Sequence, residues 1–279
     1  MSKTASANGR PTQPTRWTRR RLGIAIGLIF LAGIVAAVLD LRFAIGGSPR
    51  SVEPNSLLVL NPVTGKTERN PKLGYEPGTI SLADGRATVS NGNAMPSLRQ
   101  PCSGVVLVSA AGYDWYACHD PDSLLRVPNA GGKGTKVAGV SAAPDAAVYG
   151  AGRVWVVERD RNTLVAINPF TAKVVQKVTV GNEPAAVAVG FGAVWVANEG
   201  FGSITRLDLR SGKAETIDLD YQPTAITTGA GAVWVASKLG RVVIRLDPKK
   251  REVTKTIRLA NPPVDVAAGA GHVWAAIGH

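Results

Sequence analysis

The densest gathering of chemistry-bearing residues in the chain is Cys118-His119-Asp120-Pro121-Asp122, where a thiol, an imidazole and two carboxylates fall together. Such a set is raw material for a metal site or an activated thiolate. An Asp- and Pro-rich turn explains the same letters. The other two histidines, His272 and His279, lie far along the chain. His272 stands at a strand-start position where related segments carry Arg153, Ala193 or Ala232, the place of a solvated side chain. Gly65-Lys66-Thr67 looks like the end of a phosphate-binding loop, but Leu60 stands where that loop requires its first glycine. It reads as a hairpin turn. No catalytic residue, no metal ligand set and no cofactor is assigned from these patterns.

Charge is equally uninformative about chemistry. The net charge is +12, yet Lys3, Arg10, Arg16, Arg19, Arg20 and Arg21 supply half of it before residue 22. Lys66, Lys173 and Lys213 share one turn position of a repeated unit, so their recurrence is inherited and makes no patch. No basic stripe interleaved with aromatics is present, and nucleic acid is not an expected partner.

The elements that would position any site are written in a repeat. Trp115, Trp155, Trp195, Trp234 and Trp274 are spaced by 40, 40, 39 and 40 residues. Each sits in a phrase such as Pro184-Ala-Ala-Val-Ala-Val-Gly-Phe-Gly-Ala-Val-Trp195-Val-Ala-Asn198. Period-2 alternation and punctuating turns make each unit four short strands: an inner strand opening at a proline, the Trp strand, a third and an outer one. Pro144, Pro184, Pro223 and Pro263 each lie 11 residues before a tryptophan, and the same offset links Pro77 to Thr88, exposing a degenerate unit without its tryptophan. The valine-flanked tryptophans are expected to pack between units rather than stack on sugars.

The segment Asn55-Ser-Leu-Leu-Val-Leu-Asn61-Pro62 matches a third strand, and Gly271-His-Val-Trp274-Ala matches a second. The chain ends are complementary halves of one unit. This favours an all-β, six-bladed β-propeller closed by pairing the N- and C-terminal half-blades. A chain ending mid-blade is the alternative. Thr88 and Trp115 are only 27 residues apart, so one blade lacks its outer pair of strands and residues 92–103 are expected to form a face loop. Cys102 closes that loop and Cys118 ends the next Trp strand, at one edge of one hairpin, which predicts a disulfide outside the cytoplasm, with free thiols the alternative.

Four segments follow: a basic cytoplasmic tail (1–21), an uncharged stretch (22–39) long enough for one transmembrane helix, a linker (40–54) and the propeller (55–279). The arginine cluster keeps the tail in the cytoplasm and the propeller outside, with the membrane as a partner through the N-terminal helix. Cleavage near Ala44-Ile-Gly46 is the alternative, which yields a secreted protein.

The phrase Gly-Ala-Val-Trp-Val-Ala, with Thr-Leu-Val-Ala-Ile-Asn-Pro-Phe-Thr-Ala-Lys and Val-Thr-Val-Gly-Asn-Glu-Pro, resembles the YVTN/YncE-like β-propeller repeats of bacteria over residues 55–279. That resemblance implies a domain that binds or senses something outside the effector domain to which related arrays are attached. The repeats are also similar to streptogramin lyase, but no histidine occupies a matching face-loop position in the later repeats, so its catalytic residues do not transfer. Loops after each Trp strand and before each inner strand converge on one channel mouth, which makes Glu76, Asn91, Asp145, Glu158, Asn182, Glu183, Asn198, Gln222 and Ser237 the candidate binding residues. The function expected is a non-catalytic, membrane-anchored module for an extracytoplasmic protein or small-molecule ligand. A propeller lyase or hydrolase with a carboxylate or metal site at the mouth is the alternative.

Overall fold

A computed structural model describes residues 49–83, 86–91, 102–119, 122–140 and 144–279. Pro49–His279 form one compact unit. The stretch 22–39 expected to span a membrane lies outside the described residues, as does most of the loop expected over 92–103. Among the described residues no helix is long and apolar enough to cross a membrane.

The architecture is all-β, in antiparallel sheets that follow the repeat. The chain enters through β1 (Ser56–Leu60) and β2 (Thr67–Arg69), then forms a two-stranded sheet from β3 (Pro77–Ala83) and β4 (Arg86–Asn91). Four-stranded sheets come next: β5 (Ser103–Ala110), β6 (Tyr113–His119), β7 (Ser123–Pro128) and β8 (Thr135–Lys136), then β9 (Ala146–Gly150), β10 (Arg153–Glu158), β11 (Thr163–Ile167) and β12 (Val174–Thr179). Two more contain β13 (Pro184–Gly190), β14 (Ala193–Asn198), β15 (Ser203–Asp208) and β16 (Ala214–Asp218), and β17 (Ala225–Gly229), β18 (Ala232–Ser237), β19 (Val242–Asp247) and β20 (Glu252–Arg258). Finally β21 (Pro263–Gly269) and β22 (His272–Ile277) join β1 and β2 in the order β2-β1-β22-β21. Ser56 faces Ile277 and Leu60 faces Val273, so the two chain ends share one sheet in the register that their repeat positions predict.

The tryptophans hold sheet to sheet. Trp115, Trp155, Trp195 and Trp234 are fully buried, each within an apolar cluster that draws side chains from neighbouring sheets, and Trp274 is nearly fully buried. By area, roughly 150–250 Å² of ring at about 25 cal/mol per Å² contributes on the order of 4–6 kcal/mol each, an upper bound. In three of them the Nε1 group donates to the carbonyl five residues earlier: Trp155 to Gly150, Trp195 to Gly190, Trp234 to Gly229, at 3.0–3.2 Å. Those glycines are where the next sheet presses closest. A Cβ on Gly190 would lie 2.4 Å from Thr228 Oγ1, and one on Gly229 2.4 Å from the Ala268 carbonyl oxygen.

Turns after the third strand are equally regular. Asn61, Asn168, Asp208 and Asp247 each accept, on one side-chain oxygen, the N–H groups two and three residues on. The side chain thus stands in for a backbone acceptor while the chain reverses. Arg50 N–H bonds the Arg258 carbonyl and Val52 is buried, so the last five residues of the stretch read as a linker pack against the sheets. The Cys102–Cys118 disulfide is present, with Cα atoms 5.7 Å apart across the β5–β6 hairpin.

Candidate functional site

Two places on this frame gather polar side chains. The first is a channel, walled by the inner strand of every sheet: β3, β5, β9, β13, β17 and β21, with a volume of about 950 Å³. Its wall is mostly Gly, Ala, Val, Ser and Thr. Asp265 is its one charged residue among those described. Its Oδ2 accepts the Ile80 N–H at 2.7 Å and its Oδ1 accepts the Val266 N–H at 2.8 Å. Burial raises its pKa above the ordinary carboxylate value, with the two N–H groups pulling the other way.

The second place is the face where the second strands end. After β10 the chain makes one 3₁₀ turn, Arg159–Arg161, capped by left-handed Asn162 at φ 51°. Arg159 then reaches the next sheet: its Nη2 lies 2.5 Å from Glu199 Oε2 and 3.3 Å from Glu183 Oε2. Its backbone N–H bonds Asp145 Oδ2 at 3.2 Å. Asn162 accepts the Glu183 N–H at 2.8 Å and donates to Asn182 Oδ1 at 3.2 Å. A cleft of about 360 Å³ opens among Arg159, Asp160, Asn162, Asn182 and Glu183. The bond to Glu199 is the main cause of a raised Arg159 pKa, so the guanidinium is a fixed positive charge. Its carboxylate neighbours are spent on it.

Of the residues singled out from sequence, Asp145, Asn182 and Glu183 therefore come together around Arg159. Glu158, Asn198 and Ser237 do not open on the face; all three are buried. Asn198 donates to Ser203 Oγ and Thr205 Oγ1, and Ser237 Oγ accepts the Gly240 N–H, so these side chains serve their own hairpins. Gln222 is exposed. Glu76 is exposed too, and sits 3.9 Å from His279 Nδ1. The backbone of Asn91 ends β4 opposite Pro77, while its side chain lies outside the described residues. His119 faces Asp122 at 3.6 Å with its cysteine neighbour committed to the disulfide. Among the described residues no group of three or more His, Cys, Asp or Glu is placed to hold a metal ion.

Arg159, Glu199 and Asp265 were missed. Only the last left a readable trace, since Pro144, Pro184 and Pro223 are followed two positions on by Ala146, Ala186 and Ala225, and Pro263 by Asp265.

No protein-family model matches the sequence, and no curated protein matches it. Solved structures do. A streptogramin B lyase aligns over 64% of this chain and 64% of its own, at 19% identity and a TM-score of 0.55. The WD40 β-propeller domain of Doa1 aligns over 60% of this chain and 61% of its own, at 14% identity and a TM-score of 0.48. Apo AztD from Citrobacter koseri aligns over 61% of this chain and 50% of its own, at 13% identity and a TM-score of 0.45. The chain thus spans less than two thirds of these structures. The streptogramin B lyase likeness, with the sheets above, establishes a β-propeller fold and nothing about activity.

Proposed function

We propose that the chain is a six-bladed, YVTN/YncE-type propeller, tethered to a membrane by residues 22–39 with the propeller outside the cytoplasm, and that it works as a non-catalytic binding module. The observation that carries this reading is the channel of about 950 Å³, walled by the inner strand of each sheet, a volume at the upper end of those that hold small ligands. The Cys102–Cys118 bridge supports the compartment, because such bonds persist where thiols are not kept reduced. The streptogramin B lyase likeness favours no catalytic reading, since it is a likeness of fold and Glu183 and Glu199 are engaged by Arg159.

The test compares the full chain purified from membranes with a plugged variant, Ala186→Trp combined with Ala225→Trp, by native mass spectrometry. A mass retained by the wild type and absent from the folded, plugged variant supports a channel-binding module. Equal retention by both, or by neither, overturns it. Recovery of the chain in the soluble fraction overturns the tether.

A further inference from the structure

Nine residues before each tryptophan, or before Thr88 in the unit that lacks one, stand Thr79, Val106, Ala146, Ala186, Ala225 and Asp265. All six line the channel. The fold therefore places one ring of equivalent positions around the channel, uncharged at five and anionic at the sixth. Among the described residues lining the channel, Asp265 is the single charged side chain, and no Lys, Arg or His accompanies it. Its two backbone bonds fix the carboxylate in the wall. They do not neutralise it, and each oxygen keeps a lone-pair direction for a further partner. A carboxylate among Ala and Val walls without a counter-charge is unfavourable, and the raised pKa expresses that cost.

We infer that Asp265 is the anchor of the channel's ligand, an organic molecule bearing an ammonium group whose uncharged body lies against the Ala and Val of the same ring. A divalent metal fits poorly, because calcium needs six to eight oxygen ligands and one carboxylate supplies two at most. An amine needs one anion and neutral surroundings, which is what the wall presents. The inference rests on the binding-module reading and names the ligand class for it. Asp265 also bridges to the Ile80 N–H of β3, so it has a structural share. A structural share alone gives no response that depends on the charge of an added molecule.

The experiment uses the full chain and three probes matched in body and differing in head charge: hexylammonium, hexanol and hexanoate. Binding is read by isothermal calorimetry and by the shift of the melting temperature. Hexylammonium is expected to bind selectively and to raise the melting temperature with concentration. Asp265→Asn, which keeps an acceptor for Ile80, weakens that binding about tenfold or more, as expected for loss of one partly desolvated charge pair. The double variant Asp265→Ala with Ala186→Asp moves the carboxylate around the ring and restores selectivity for the amine. Equal affinity in Asp265→Asn, or equal binding of hexanol and hexanoate, overturns the inference. So does binding of no probe, while the plugged-variant experiment then decides independently whether the channel binds anything. The overall positive charge of the protein works against adventitious amine binding.

Discussion

The arc from β9 to β20 and the seam from β3 to β6 solve the same packing problem with different means. In the arc, one set of ties is reused: Trp Nε1 to a glycine carbonyl, the glycine yielding to the next sheet, and Arg206 and Arg245 over the Trp195 and Trp234 rings at 5.6 and 6.0 Å. At the seam the set fails. Among the described residues β3 and β4 pair without an outer pair of strands, Ala110 replaces the glycine, and the buried Trp115 Nε1 has no partner. Arg126 lies over Tyr113 instead, at 4.3 Å. Two other ties appear here, the Cys102–Cys118 bond and the bond from Asp265 of β21 to the Ile80 N–H. Where the repeat loses its shared contacts, single strong ones stand in.

That contrast is open to breakage at four points. The largest effect is expected from the tryptophans: Trp195→Ala should cost about 3–5 kcal/mol in urea unfolding, and Trp115→Ala should fall at or below the low end of that range, since it lacks the Nε1 bond. A larger loss at Trp115 would erase the distinction between arc and seam. Next, replacing Cys102 and Cys118 by Ser should lower stability by about 3 kcal/mol on the chain-entropy model for a loop of this length, and reduction of the wild type should match it. Third, Gly229→Ala should cost about 1–3 kcal/mol by driving a Cβ into the Ala268 carbonyl, whereas Ala110→Gly should cost less than about 1 kcal/mol because the seam does not use that contact. A comparison of melting temperatures decides it.

The smallest effect is a pH slope confined to the arc. Backbone N–H donors to Asp208 and Asp247 hold both carboxyls below their ordinary pKa, helped at Asp208 by Arg206. A depressed folded-state pKa contributes stability above the unfolded value, near 4, and that contribution is lost as pH falls through the folded value. Asp208→Asn with Asp247→Asn keeps the turn acceptors and should flatten the decline of melting temperature below about pH 4. Asn61 and Asn168, which already lack the charge, serve as internal references.

Most of this frame was legible because its determinants are periodic. Trp, Pro and the Asn or Asp of the third-strand turn recur in register, and recurrence survives even where Thr88 replaces the ring. The β3–β4 hairpin was legible from the offset between Pro77 and Thr88, and the disulfide from the edge that its cysteines share. Side-chain destinations were not. Asn198 and Ser237 are polar residues at strand ends, and residue type suggests a wet face. The hairpins' own donors and acceptors draw them inward, a demand visible only once Ser203, Thr205 and Gly240 are in place. Arg159 escaped notice because its partners, Glu183 and Glu199, belong to the following sheet and meet it through the ring, not through the chain.

The pairing of β1 with β22 has a consequence in time. The first strand made must wait for the last before its open edge is covered, and loop-closure entropy across nearly the whole propeller opposes that final step. The four-stranded sheets between them are local and can form as they emerge, so closure is the expected rate-limiting event of folding. Until it occurs, Leu57 to Leu60 present an unpaired apolar edge. A nascent chain stalled before residue 272 would expose that edge, and it is there that a folding factor or a neighbouring chain would first take hold.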